Sequence, residues 1–116
     1  MAEVNYTYYA KLIRVIDGDT ARFDVDLGFH AHIHVDVRFK GYNAPEISGK
    51  NKAAAAAAKA ELETLLSGET VILTTEKSFQ QTFARYLATV TVGKAGGWVD
   101  VAEHMKSKGF NVKQGD

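Results

Sequence analysis

Cysteine is absent from the 116-residue chain, which excludes a disulfide framework, a zinc ribbon, a thiol nucleophile and an iron–sulfur cluster. Any metal has to be held by oxygen or imidazole. Charge of one sign is also lacking: 14 Lys and Arg balance 14 Asp and Glu. Binders of polyanions are usually basic, so any attraction for one must be local; residues 1–48 lean slightly acidic and residues 49–116 slightly basic. Long hydrophobic runs are missing. The poly-alanine stretch Ala53 to Ala58 falls far short of the roughly 20 apolar residues of a membrane span, and the first residues show no basic and then apolar leader. The expectation is a cytoplasmic protein with no membrane partner. With 46% hydrophobic and 24% charged residues, the composition is that of a folded domain and not of a disordered or fibrous chain. Residues 1–116 are expected to form one domain, large enough to bury roughly 65% of its unfolded surface.

What is present is mostly period-two alternation, the mark of half-buried strands. From His30 to Gly41, the residues Ala31, Ile33, Val35, Val37 and Phe39 share one face and His30, His32, His34, Asp36, Arg38 and Lys40 the other. Before it, Ala21, Phe23, Val25 and Leu27 alternate with Thr20, Arg22, Asp24 and Asp26, and Gly28-Phe29 is the expected hairpin turn. Tyr6 to Ile16 is β-rich without clean alternation, as for a strand covered on both faces or bulged where a barrel closes. After Pro45, the only proline, Ala54, Ala58, Leu62 and Leu65 recur at helical spacing, predicting a helix from Asn51 to Leu66 that Ser67-Gly68 stops. Alanine is the best helix former and the smallest, so the stretch reads as a helix pressed closely on a sheet. Thr70 to Thr75 and Arg85 to Val92 read as two more strands around the polar loop Lys77 to Ala84, and Gly93 to Gly97 as a turn. Asp100 three residues before Glu103 opens a short helix that Gly109 ends.

Three strands, a helix, two strands and a helix, with no βαβ alternation, predict an α+β protein, mainly β: a five-stranded OB-fold barrel with a helix between strands three and four and a second helix at the C-terminal end. Fold alone does not give function.

Charged residues collect at the ends of these elements. Asp17 and Asp19 lie between strands one and two; Arg38, Asn43 and Glu46 at the end of strand three and in the loop after it; Arg85 at the start of strand five. Pro45 holds Ala44 extended, so Glu46 is presented from a rigid turn. Asp19, the Asn43 side-chain oxygen and a nearby backbone carbonyl are hard donors suited to Ca²⁺ with several waters retained. Glu46 can position or deprotonate an attacking water. Arg38 and Arg85 can each grip phosphate oxygens through paired hydrogen bonds and hold the charge that grows on a pentacoordinate phosphorus. The set suits metal-assisted hydrolysis of a phosphodiester.

At these residues the sequence resembles the staphylococcal nuclease (thermonuclease-like) family over nearly its whole length. The matching pieces are Val15-Ile16-Asp17-Gly18-Asp19-Thr20, Arg38 with Asn43-Ala44-Pro45-Glu46, Phe83-Ala84-Arg85-Tyr86-Leu87-Ala88, and Val99 to Phe110. The resemblance implies an OB-fold and Ca²⁺-dependent hydrolysis of DNA and RNA; the expected enzyme is an endonuclease, the expected substrate a flexible or single strand and the expected state a monomer, and with Asn43 in the site Mn²⁺ or Mg²⁺ is an alternative metal. Water attacks phosphorus and the 5′ oxygen leaves. It assigns Asp19, Asn43 and the Ala44 carbonyl to the metal, Glu46 to the water, Arg38 and Arg85 to the phosphate, and Phe83 to a base. Asn43 stands where the best-known members carry a second metal-binding aspartate; with an oxygen but no charge, it is expected to weaken metal binding by ~1.4 kcal/mol or more. Phe83 and Thr82 replace a tyrosine and a lysine, so Phe83 can stack but cannot donate a hydrogen bond.

The alternative is a non-catalytic OB-fold module that binds nucleic acid or a protein partner, with a decayed metal site. Other features read blandly. The His30, His32, His34 row, though His-x-His points two imidazoles one way, reads as a solvated strand face flanked by Asp24, Asp26 and Asp36. His104 reads as a helix-surface residue, and Tyr6, Tyr8, Tyr9 and Trp98 as barrel packing. Lys50, Lys52 and Lys59 serve equally as solubility charges or as an attraction for a polyanion.

Overall fold

The computed structural model describes residues 6–45, 52–75 and 85–110. In chain order these form strand β1 (Thr7–Asp17), β2 (Thr20–Gly28), β3 (Ala31–Phe39), helix α1 (Lys52–Leu66), β4 (Thr70–Thr75), β5 (Arg85–Lys94), β6 (Gly97–Asp100) and helix α2 (Val101–Ser107). The strands lie in the order β3-β2-β1-β4-β5-β6. The sheet closes because β5 also pairs with β3, in parallel, from Asp36↔Arg85 to Phe39↔Ala88. Five strands make the closed barrel and β6 continues the sheet beyond it. This is the expected OB-fold-like α+β architecture, mainly β, with one strand more.

Curvature comes from β1, the strand without clean alternation. It pairs with β2 on one side and β4 on the other, and its register against β2 shifts between Leu12 and Arg14 and again between Val15 and Asp17. Such bulges bend and twist a strand so that one sheet can wrap on itself. The interior is filled by alternate residues, among them the fully buried Phe23, Phe39, Val37, Val71, Leu73 and Val92. The Phe23 and Phe39 rings meet at a centroid separation of 6.5 Å with planes tilted 49°, within the favourable range for aromatic pairs. Helix α1 covers the barrel with Ala55, Ala58, Leu62, Leu65 and Leu66, and α2 adds Val101, Ala102 and Met105. The buried alanine of the first turns is Ala55; Ala54 is half-buried.

Several expectations change. The hairpin turn sits one residue later than expected: Gly28 pairs with Ala31, and the loop is Phe29-His30, both left-handed at φ 55° and 62°. That is the twist a two-residue hairpin needs, reached without glycine at either central position. The inner face of β3 is covered only from Val35 onward, because pairing with β5 begins at Asp36; Ile33 and Ala31 belong to a stretch of hairpin that projects beyond the barrel, and Ile33 is 46% exposed. The turn read at Gly93 to Gly97 narrows to Ala95-Gly96, with β5 running on to Lys94. Gly93 is a strand residue whose missing side chain makes room for the Trp98 ring: a Cβ there would stand 3.3 Å from Trp98 Cζ3. Trp98, on the extra strand, is 55% exposed, and Tyr9, paired with Ile72 on the outer face, is 60% exposed. Neither packs inside the barrel; Tyr8 packs partly against the core.

Helix α2 begins as the sequence indicates. The Asp100 carboxylate accepts the Glu103 N–H at 3.1 Å. The reciprocal half of the capping box is not made, since Glu103 Oε2 pairs with Lys106 Nζ at 3.3 Å. Gly109, at φ 84°, follows the helix end. His104 is half-buried and not a surface residue: its Nε2 lies 2.7 Å from Glu61 Oε2 and ties α2 to α1. No described helix is long and apolar enough to cross a membrane.

Among the described glycines, Gly18, between β1 and β2, leaves the least room for a side chain. A Cβ there would lie 2.6 Å from Ala44 Cβ and 2.9 Å from Ala58 Cβ. Glycine at 18 and alanine at 58 therefore let α1 and the 42–45 segment meet the β1–β2 turn. Gly18→Ala is expected to lower stability by roughly 1–3 kcal/mol through overpacking, read as a drop in urea midpoint with unchanged slope. Stability equal to the parent would contradict this packing.

Candidate active site

Asp17 and Asp19 have different tasks although they share one turn. The Asp17 carboxylate accepts the Asp19 backbone N–H at 3.1 Å and so shapes the turn, as short acidic side chains do. The Asp19 carboxylate leaves the turn. Its Oδ2 accepts the Ala44 N–H at 3.1 Å and its Oδ1 accepts the hydroxyl of the fully buried Thr20 at 3.1 Å. Two more backbone bonds lock the ends of the strands around it: Phe39 N–H to the Asp19 carbonyl at 3.0 Å, and Lys40 N–H to the Ala88 carbonyl at 2.9 Å. Gly41, left-handed at φ 84°, then turns the chain so that residues 42–45 run back over Asp19.

Arg38 completes the group. Its Nη2 stands 3.7 Å from Asp19 Oδ2 and donates to Asn43 Oδ1 at 2.5 Å, with the arginine side chain 45% exposed. One guanidinium thus spans two of the residues assigned to a metal. Asp19, Arg38, Asn43 and Ala44 are brought together as expected. Arg85 is placed by its backbone, opposite Asp36 on the strand beside Arg38. Glu46, assigned to the water, and Phe83, assigned to a base, lie outside the described residues, as does Lys50. Lys52 is exposed and Lys59 half-buried on α1.

Burial holds the Asp19 carboxyl up at about 6; the neighbouring Asp17 adds to the rise, and the Ala44 N–H and Arg38 work against it. A carboxyl held up by poor solvation is one that a cation would relieve. The donor types suit a hard cation: a part-buried carboxylate with lone pairs left on both oxygens, and Asn43 and Ala44 beside it, whose oxygens would have to turn toward the ion. Asn43 fits only once Arg38 releases it. Sequence reasoning passed over Tyr42. It is 2% exposed, its hydroxyl has no partner among the described residues, and burial followed by the charges of Asp19 and Asp17 pushes its phenol up. Its place beside Asn43 in the loop was the available signal, but no spacing rule marks a loop tyrosine as buried.

The raised carboxyl has a definite effect on stability. The folded state holds the Asp19 proton more tightly than the unfolded chain, so this contribution favours folding below pH ~4 and is lost as pH rises through about 6. At pH 7 the ionised buried group opposes folding. Asp19→Asn, which keeps an acceptor for Ala44, is expected to be more stable than the parent at pH 7 by roughly 1–3 kcal/mol. The gain should shrink toward pH 4 in parallel urea titrations; a variant less stable at both pH values would contradict it.

No protein-family model matches the chain, and no curated protein matches it.

Proposed function

We propose that the protein is a Ca²⁺-dependent phosphodiesterase that cleaves DNA or RNA strands internally, with its reaction centre at the mouth of the barrel around Asp19. The observation that carries this reading is the convergence of a buried carboxylate, a guanidinium and the Asn43-Ala44 turn from three separated chain segments. Asp19 also ties Ala44 and Thr20 into the fold, yet its raised carboxyl works against folding once ionised, the kind of tension that collects at functional sites. Asp19 and the Ala44 carbonyl would hold the cation, with Asn43 joining when Arg38 turns outward. The cation, when bound, neutralises phosphate charge and polarises the P–O bond.

The chain's own residues supply the rest. Arg38, half exposed and long enough to swing, releases Asn43 and forms paired hydrogen bonds to a phosphate oxygen. Arg85 takes a second oxygen from the adjacent strand. Glu46 accepts a proton from water as the water oxygen bonds to phosphorus; the bond to the 5′ oxygen breaks and that oxygen takes up a proton from a solvent water. Charge that builds on the equatorial oxygens is met by the two guanidinium groups.

A second reading has its own support. Arg38 already spans Asn43 and Asp19, so a guanidinium could stand in for the cation in an OB-fold module that binds without cutting. Ca²⁺ binding in the presence of a nucleoside bisphosphate separates the two, since the binding module needs no Ca²⁺. For the enzyme, pure protein should cleave single-stranded DNA with Ca²⁺ and not with chelator. Arg38→Ala should lower the rate by roughly 10²–10³-fold and Glu46→Gln by roughly 10²–10⁴-fold, with circular dichroism unchanged. Cleavage that persists in both variants would remove these roles, and no cleavage with Ca²⁺, Mn²⁺ or Mg²⁺ would favour the binding module.

A further inference from the structure

On the outer face of the β2–β3 hairpin, two imidazoles converge on one carboxylate oxygen. His32 Nδ1 lies 3.2 Å from Asp24 Oδ1 and His34 Nε2 lies 3.8 Å from the same atom. The three residues are fixed by strand geometry: Asp24 pairs with His34 across the hairpin, and His32 is two residues away on the same face. Asp26, the other acid of this hairpin end, is occupied in accepting the Gly28 N–H at 2.8 Å. Asp36 holds Arg22 at 2.7 Å. We propose that His32, His34 and Asp24 form a binding site for a divalent transition-metal ion of the zinc class, separate from the centre at Asp19.

Two of the three donor separations lie near those of a coordination shell. Zinc binds imidazole nitrogen and carboxylate oxygen at about 2.0–2.2 Å, so neighbouring donors in a tetrahedral shell stand about 3.3–3.5 Å apart; the two measured edges bracket that value. Among the described residues no group of three or more His, Asp or Glu side chains is arranged so that it could hold a metal ion as it stands. The proposed site would close by rotation of these side chains, which are 50%, 65% and 39% exposed for His32, His34 and Asp24. A cavity of about 120 Å³, lined by Tyr9, Lys11, Asp24, Asp26, His32 and Thr70 but not by His34, opens beside Asp24 and His32. Two imidazoles and one carboxylate select zinc-class ions over Ca²⁺, which takes oxygen donors. The residues take no part in the proposed hydrolysis, and this site stands or falls independently of it.

The test is calorimetric titration of the tag-free full chain with Zn²⁺, with Co²⁺ absorption spectra in parallel. The parent and Asp19→Asn should each bind one Zn²⁺ ion with equal affinity, undisturbed by saturating Ca²⁺. His32→Gln and His34→Gln should bind roughly tenfold or more weakly, and Co²⁺ should give a four-coordinate spectrum that both substitutions abolish. No Zn²⁺ binding by the parent, unchanged affinity in the histidine variants, or loss of binding in Asp19→Asn would each overturn the assignment.

Discussion

The pairing of β3 with β5 is the constraint on which the candidate site depends. These strands run parallel from Asp36↔Arg85 to Phe39↔Ala88 and convert a meandering sheet into a closed barrel, and closure removes the freedom of every strand end at that mouth. Once Phe39 and Lys40 donate to Asp19 and Ala88, the loop that follows has one short route, over the β1–β2 turn. Its Ala44 N–H then reaches Asp19, and the small residues Gly18, Ala44 and Ala58 let the three segments meet. The site is a by-product of how the barrel shuts, and its precision is inherited from backbone hydrogen bonds.

The same geometry carries an energetic tension. A carboxylate held where burial raises its proton affinity to about 6 works against folding at neutral pH, and the chain offsets this with one N–H, one hydroxyl and a half-exposed guanidinium. The fully buried aliphatic and aromatic core supplies the surplus: individual side chains such as Leu62 or Phe23 each contribute on the order of 2–5 kcal/mol against truncation to alanine. A stable barrel can therefore tolerate a poorly solvated charge at its mouth, the usual relation between a scaffold and the groups it presents.

How far the sequence reaches depends on the range of the interaction. Local patterns were legible: the β2–β3 hairpin, the helix ending at Leu66 and the Asp100 cap each follow from neighbours within a few residues. The set Asp19, Arg38, Asn43 and Ala44 was legible too, because strand ends that flank tight turns must cluster in a small barrel. Packing against partners distant in sequence was not legible. Trp98 and Gly93 read as a packing residue and a turn residue until β6 folds back and lays the indole over the glycine. Ile33 has an inward-facing pattern, yet no layer extends far enough to cover it. Tyr42 is buried by a loop path that no periodicity encodes, and the grip of Arg38 on Asn43 depends on a side-chain rotamer.

The central claim is that the barrel mouth holds Asp19 as a poorly solvated carboxylate, the group that the proposed function gives to a cation, and carboxyl-carbon NMR titration of Asp19, with and without Ca²⁺, tests it most directly. The account predicts a midpoint near 6 in the free protein, moving downward as Ca²⁺ is added because the cation favours the ionised form. A midpoint at the ordinary aspartate value, or one near 6 that saturating Ca²⁺ leaves in place, would contradict it.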